Sequence, residues 1–119
     1  MTFRFEKLTV WQDARHFATD VYRVTSRFPK EEKFGLTDQI RRASVSISLN
    51  IAEGSSRRSD KDFTRFLRVA LGSLEEAVTG FYIALDLKYL NQKEFDPLYK
   101  KTNLLASKIN ALIRSLKKQ

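Results

Sequence analysis

Cysteine is absent from the 119-residue chain, which excludes disulfides, thiolate metal sites and thiol catalysis. Glycine occurs four times and proline twice. A β-rich fold of this length needs many tight turns, so few turn-formers argue against one. No apolar run approaches the ~18 residues of a membrane span. The opening segment, Met1-Thr2-Phe3-Arg4-Phe5-Glu6-Lys7, has no apolar stretch and carries an acid. A secretory leader is therefore not expected, and a cytoplasmic setting is the default.

What is present is an excess of positive charge. Lys and Arg number 22 against 14 acids, a formal net charge of +8. That balance favours polyanionic partners, nucleic acid first. Hydrophobic residues make up 42%, enough to build a core rather than a disordered chain. The length fits one domain, residues 1–119, able to bury roughly two-thirds of its unfolded surface.

Apolar spacing predicts four helices. The first runs from about Val10 to Arg27, on a stripe of Val10, Ala14, Phe17, Val21, Val24 and Phe28. Thr9 with Gln12 fits a capping box, and Phe28-Pro29 ends the segment. The second runs from about Thr37 to Glu53, with Gly35 before it and Gly54 as a left-handed C′ residue after it. Ile40, Ala43, Ile47 and Ile51 form its main stripe, and Val45, Leu49 and Ala52 lie nearly opposite. A helix apolar on two sides wants two covers.

The third helix, about Asp60 to Lys88, begins with Ser59 as N-cap. A large stripe (Leu67, Leu71, Leu74, Val78, Phe81, Leu85) runs beside a small one (Ala70, Ser73, Ala77, Gly80, Ala84). Small residues at this spacing let another helix approach closely, and a mid-helix Gly80, unfavourable by up to ~1 kcal/mol against Ala, points to packing. The fourth helix, about Gln92 to Leu116, repeats Phe95, Leu98, Thr102, Leu105, Ile109, Leu112 and Leu116. Asn91 with Glu94 resembles a capping box and Leu90 with Phe95 a staple. Pro97 leaves two starts open: a kinked first turn, or a helix beginning with Asp96 as cap and Pro97 at N1. The expected fold is all-α, an antiparallel up-down-up-down four-helix bundle.

Catalytic chemistry finds no motif. His16 is the one histidine, with Asp13 and Asp20 at helical spacing, but no nucleophile is tied to it. No Gly-rich nucleotide loop, Walker loop or HExxH occurs, and the Glu-x-x-His pairs of di-metal bundles are missing. No cofactor or metal is expected. The cations are less evenly spread. Arg57, Arg58, Lys61, Arg65 and Arg68 fall within twelve positions around the start of the third helix. Cations there oppose the helix dipole. Guanidinium groups beside exposed helix N–H donors suit phosphate, which makes these five the candidate nucleic-acid-binding residues. Arg41, Arg42, Lys108, Arg114, Lys117 and Lys118 are secondary candidates. Gly54-Ser55-Ser56 reads as a C-cap turn rather than a phosphate loop. Trp11, Tyr22, Phe63 and Phe66 could stack on bases, although aromatics at helical spacing are more often core.

The stretch Gln39-Ile40-Arg41-Arg42-Ala43, Ser46-Ile47 and Asn50-Ile51-Ala52-Glu53-Gly54 resembles the signature of the four-helix-bundle proteins encoded in intervening sequences of bacterial 23S rRNA genes. Leu8-Thr9-Val10-Trp11-Gln12, Phe28-Pro29 with Glu32, Gly35-Leu36 and Ala70-Leu71-Gly72-Ser73-Leu74-Glu75-Glu76 support the resemblance over nearly the whole chain. It implies a homopentameric ring, and kinship with the basic accessory bundles of diversity-generating retroelements, which bind nucleic acid and a reverse transcriptase. No catalytic activity is implied. Within the motif, Asn50 faces the main stripe and needs hydrogen-bond partners if buried. Glu53 sits at a helix C-terminus where its charge is disfavoured. Both, with Gly54, are expected to be structural, with Arg41, Arg42 or a neighbouring helix as partners.

The leading expectation is a non-enzymatic homo-oligomer, a pentamer by resemblance, binding RNA or DNA through a basic face. Its self-contact is expected at Val45, Leu49 and Ala52 and at Ser73, Ala77, Gly80 and Ala84. The alternative is an adaptor whose basic face meets an acidic protein such as a polymerase or reverse transcriptase.

Overall fold

The computed structural model describes residues 2–117. After a 3-10 turn at Arg4–Lys7, four helices follow: α1 (Thr9–Thr25), α2 (Leu36–Ser55), α3 (Asp60–Asp86) and α4 (Gln92–Lys117). A second 3-10 turn, Lys30–Glu32, lies between α1 and α2. Each helix packs on its chain neighbours, α4 also closes on α1, and the extents are 46 × 25 × 20 Å. This is the expected up-down-up-down bundle. The α2–α3 seam is the most extensive and α1–α4 the least.

The main stripes form the core. Ala14, Phe17, Val21, Ile40, Ile47, Ile51, Leu67, Leu74, Phe81, Leu105 and Ile109 are all buried. Phe17 and Phe81 meet edge-on across the centre, their ring centroids 6.2 Å apart. Fully burying each large apolar side chain contributes about 1.5–3 kcal/mol. In α4 the stripe shifts by one residue: Ile113 is buried and Leu112 only partly so.

Caps decide the helix ends. Ser59 Oγ accepts from Asp62 N at 3.1 Å, as expected. Asn91 and Glu94 form a reciprocal capping box, with bonds of 2.9 and 3.0 Å. That cap starts α4 at Gln92 and carries the helix through Pro97. Proline removes the bond that the Lys93 carbonyl would accept, and both residues are exposed, so water can satisfy it. The Thr9–Gln12 box does not form. Leu8 occupies the N-cap, and Gln12 Nε2 donates instead to Glu6 O at 3.1 Å.

Gly54 corrects a second expectation. No described glycine has positive φ, and α2 continues through Gly54 to Ser55. The glycine is required by crowding instead: a Cβ there would lie 2.7 Å from Phe66 Cβ and 2.9 Å from Phe63 Cδ1. The residue in the left-handed region is Lys88, φ 64°, just past α3. Lys88 N donates to Leu85 O, and Tyr89 N to Ala84 O at 2.8 Å, closing a Schellman turn. That turn ends α3 at Asp86, two residues before the expected end.

The row of small residues on α3 has its cover inside the chain. Ala70, Ala77 and Ala84 are fully buried, Ser73 and Gly80 are buried too, and α2 is the helix they meet. A Cβ on Gly80 would stand 2.5 Å from Ile40 Cγ1. Ser73 Oγ donates to Ser46 Oγ at 2.9 Å. Ser73, Ala77, Gly80 and Ala84 therefore build the α2–α3 seam, and their expected place at a contact between copies is corrected. The opposite face of α2 differs: Leu49 is 61% exposed, with Val45 and Ala52 half-buried beside it.

Candidate nucleic-acid interface

The α2–α3 hairpin builds the basic cluster. Because Gly54 lets α3 press against α2, the connection is short, and Ser56 and Arg57 donate back to Glu53 O and Gly54 O. Arg57 and Arg58 stand at its tip, and Lys61 and Arg65 follow on the exposed side of α3. Arg68 lies on that side too, two turns or about 10 Å beyond Lys61. Arg57 and Arg65 both lie over the half-buried Phe66 ring, at 4.8 and 4.6 Å from its centroid. Arg57 also pairs with Glu53 at 2.8 Å and Arg65 with Asp62 at 3.2 Å. Arg58, Lys61 and Arg68 are exposed and make no ion pair among the described residues.

Antiparallel packing brings further cations to this end of the bundle. Arg4 Nη1 donates to Ser55 O at 3.2 Å, and its guanidinium lies 5.2 Å over the Phe63 ring. Lys117, on the last turn of α4, lines a shallow groove with Asp60, Lys61 and Thr64. Lys7 and Arg114 complete the set. Against these stand Glu6, Glu53, Asp60 and Asp62, so the end is strongly cationic. At the far end, Arg23, Arg27, Lys30, Lys33, Arg41, Arg42, Lys88 and Lys93 face Glu31, Glu32, Asp38, Asp86, Glu94 and Asp96, a smaller excess of eight cations over six acids.

The secondary candidates divide. Arg41 donates to Thr25 Oγ1 at 2.8 Å and stacks on Tyr22, and Arg42 pairs with Asp38. Lys108 pairs with Asp13, and Lys101 with Asp20. Burial works against the charge on Asp20, but hydrogen bonds from Lys101 and Arg23 outweigh it and hold its carboxyl below the ordinary value. Asp13 and Asp20 are thus engaged on α4 and α1 rather than turned on His16, which is exposed. No group of three metal-ligating side chains occurs among the described residues. Arg114 and Lys117 belong to the basic end, and Lys118 lies outside the described residues.

Within the signature motif, Asn50 Nδ2 donates to Ser46 O at 2.8 Å and Ser46 Oγ at 3.0 Å. Ser46 Oγ in turn accepts from Ser73, so the asparagine supports the α2–α3 seam. Glu53 takes Arg57 as its partner, not Arg41 or Arg42. Of the aromatics, Phe63 is core, Trp11 and Phe66 are half-buried, and Tyr22 is exposed. Phe3, Arg4 and Phe5 were not among the expected site residues. Their aromatic–cation–aromatic alternation was the available signal, but its position at the basic end follows from a long-range contact.

A small all-α bundle with one cationic end and no catalytic constellation among its described residues is the class defined here. The family model of the 23S rRNA-intervening sequence protein matches residues 6–111, and the chain belongs to that family. A solved structure from Bacteroides thetaiotaomicron, described as a protein with unknown function from the S23 ribosomal protein family, has the same fold. It is 20% identical, covers 88% of this chain and 98% of its own, and superposes with a TM-score of 0.79. No curated protein matches significantly. The family's function is unknown, and no reaction is attached to it. No helix among the described residues is long and apolar enough to cross a membrane.

Proposed function

We propose that the protein is a non-enzymatic, homo-oligomeric bundle that binds nucleic acid through its basic end. The observation that carries this reading is the charge asymmetry: one end sets eight cations against six acids, while the other sets nine against four, and of those nine Arg58, Lys61 and Arg68 have no ion-pair partner among the described residues. Phosphate contacts and counterion release supply the affinity, with little base-edge readout.

Self-association fits two unlike surfaces. Tyr22, Phe34, Val45 and Leu49 form an apolar strip beside Arg41 and Arg42 on the α2 side. Along the α2–α3 seam, Gln39, Gly72, Glu75, Glu76, Thr79 and Ile83 line an acidic and apolar groove. Strip against groove is a head-to-tail contact, which closes into a ring when the rotation permits. The family resemblance favours five copies.

The test is direct. Replacing Arg57, Arg58, Lys61, Arg65 and Arg68 with Gln abolishes oligonucleotide binding with helicity retained. For the wild type, log affinity falls linearly with log salt. Unchanged affinity in the variant places the site elsewhere. Saturable binding to an acidic protein such as a reverse transcriptase, with no affinity for nucleic acid, replaces the reading with that of an adaptor.

A further inference from the structure

We infer that the aromatic cluster Phe3–Phe5–Trp11, through its stacked Phe3–Phe5 pair, is a base-stacking platform, so that the nucleic acid taken at the basic end is single-stranded. This rests on the nucleic-acid reading above and specifies its substrate class.

The Phe3 and Phe5 rings are stacked, 5.5 Å apart and 18° from parallel. Phe5 meets Trp11 at 4.7 Å with the rings tilted by 58°, and the Arg15 guanidinium lies 5.3 Å over the indole. Phe5 and Trp11 are half-buried, whereas Phe3, the outer ring, is 61% exposed. The segment that presents it is fixed. Phe3 N donates to Glu6 Oε1 at 2.6 Å, Gln12 Nε2 to Glu6 O, and Arg4 to Ser55 O. An aromatic face is thus held open to water at the end of a supported column.

Its position gives that face a use. Phe3, Arg4 and Phe5 line an open groove of about 490 Å³ with Ser55, Ser56 and Glu53, whose carboxylate is paired with Arg57. Arg57 follows Ser56 in the chain. Leu49 stands at the groove's inner margin, where the α2 strip begins. An exposed stacking face beside a cationic cluster is how single strands are held, since every base has a π-face and every linkage a phosphate. A duplex has its bases already stacked and paired and offers such a site phosphates alone.

Trp11 is the one tryptophan of the chain, so its emission reports on the stack. The full-length protein is titrated with single strands of about 12 nucleotides, a length within the usual site size of single-strand binders. One is DNA and one is RNA, and the matching DNA duplex is the third probe. Binding is followed by anisotropy and by Trp11 emission, and the helical content of each variant by circular dichroism. Single strands of either sugar change Trp11 emission and the duplex does not. Phe3→Ala weakens single-strand binding about tenfold and leaves duplex binding within about twofold, while Phe3→Tyr retains wild-type affinity. Equal loss for single strand and duplex, or no loss at all, overturns the platform. Binding of neither probe by the wild type removes the nucleic-acid reading itself. Binding of both probes, insensitive to Phe3→Ala, removes the platform alone.

Discussion

Gly80 of α3 lies directly against Ile40 of α2, so that a methyl group on the glycine would stand 2.5 Å from Ile40 Cγ1. At an unconstrained helix interior, Gly→Ala is favourable by up to ~1 kcal/mol. Here the new carbon overpacks the seam, which typically costs about 1–3 kcal/mol. Gly80→Ala is therefore expected to destabilise the bundle in urea unfolding. In an Ile40→Ala background the same change becomes neutral or stabilising, a non-additivity that only neighbours show. Gly54→Ala is expected to be worse than Gly80→Ala. Its nearest obstacle is Phe66 Cβ, which cannot move without its backbone, and Phe63 blocks the other approach.

The α2 start and the α3–α4 turn are joined through Glu32. Its Oε1 accepts from Leu36 N at 3.0 Å and its Oε2 from the Tyr89 hydroxyl at 2.9 Å. The Leu36 amide, then the Tyr89 hydroxyl, hold the Glu32 carboxyl below its ordinary value of 4.5. The carboxylate beside it raises the Tyr89 hydroxyl above 10.0. For Glu32, the contribution is full above pH 4.5 and is lost as pH falls through the depressed folded value. For Tyr89, it is full below pH 10.0 and is lost as pH rises through the raised value. Glu32→Gln should flatten the acid limb of a plot of melting temperature against pH and weaken the alkaline one, and Tyr89→Phe should flatten the alkaline limb while the Leu36 amide keeps most of the acid one. An unchanged profile in both variants removes the linkage.

Lys88 holds a left-handed conformation that costs an L-residue about 1–2 kcal/mol, and glycine occupies it without strain. Part of that gain is returned through the more flexible unfolded chain. Lys88→Gly is expected to stabilise the protein by about 0.5–1 kcal/mol in urea unfolding, with Ala at the same position giving no comparable gain. Equal effects of Gly and Ala would mean that the turn does not carry this strain.

The helices and most of the core could be read from period alone, because Ile40, Ala43, Ile47 and Ile51 repeat at helical spacing and are all buried. The caps at Ser59 and Asn91 were equally readable, being local hydrogen bonds with short spacing. Gly54 and the small row of α3 were misread for a shared reason. Period shows that a face is apolar or small, not which element lies against it. Ala77 and Gly80 meet α2 of the same chain, and Gly54 meets Phe63 and Phe66 across a hairpin. The Arg57–Arg68 cluster was visible because it is contiguous. The arrival of Phe3 and Arg4 beside Ser55 is a contact spanning 51 residues, with no local pattern to announce it.

Leu49 decides the assembly reading. With the small row of α3 covered inside the chain, the α2 strip is what remains of the surface expected for self-contact. There Leu49 is 61% exposed and Phe34 87%. Scattered exposed apolar residues are ordinary, but a contiguous strip marks an interface. The strip carries Arg41 and Arg42 at its edge, and the groove along the α2–α3 seam carries Glu75 and Glu76, so unlike charges meet when one copy's strip docks on the next copy's groove. Leu49→Glu places a carboxylate on the strip and brings it toward those acids, adding repulsion to the lost apolar contact. Because Leu49 is outside the core, the bundle itself should keep its helicity and its urea midpoint to within about 0.5 kcal/mol. Light-scattering mass at micromolar concentration is expected to be a multiple of the 13.9 kDa chain mass for the wild type and to fall for Leu49→Glu. A wild-type mass near that of one chain would end the assembly reading, and a Leu49→Glu mass equal to the wild-type multiple would move the contact off this strip.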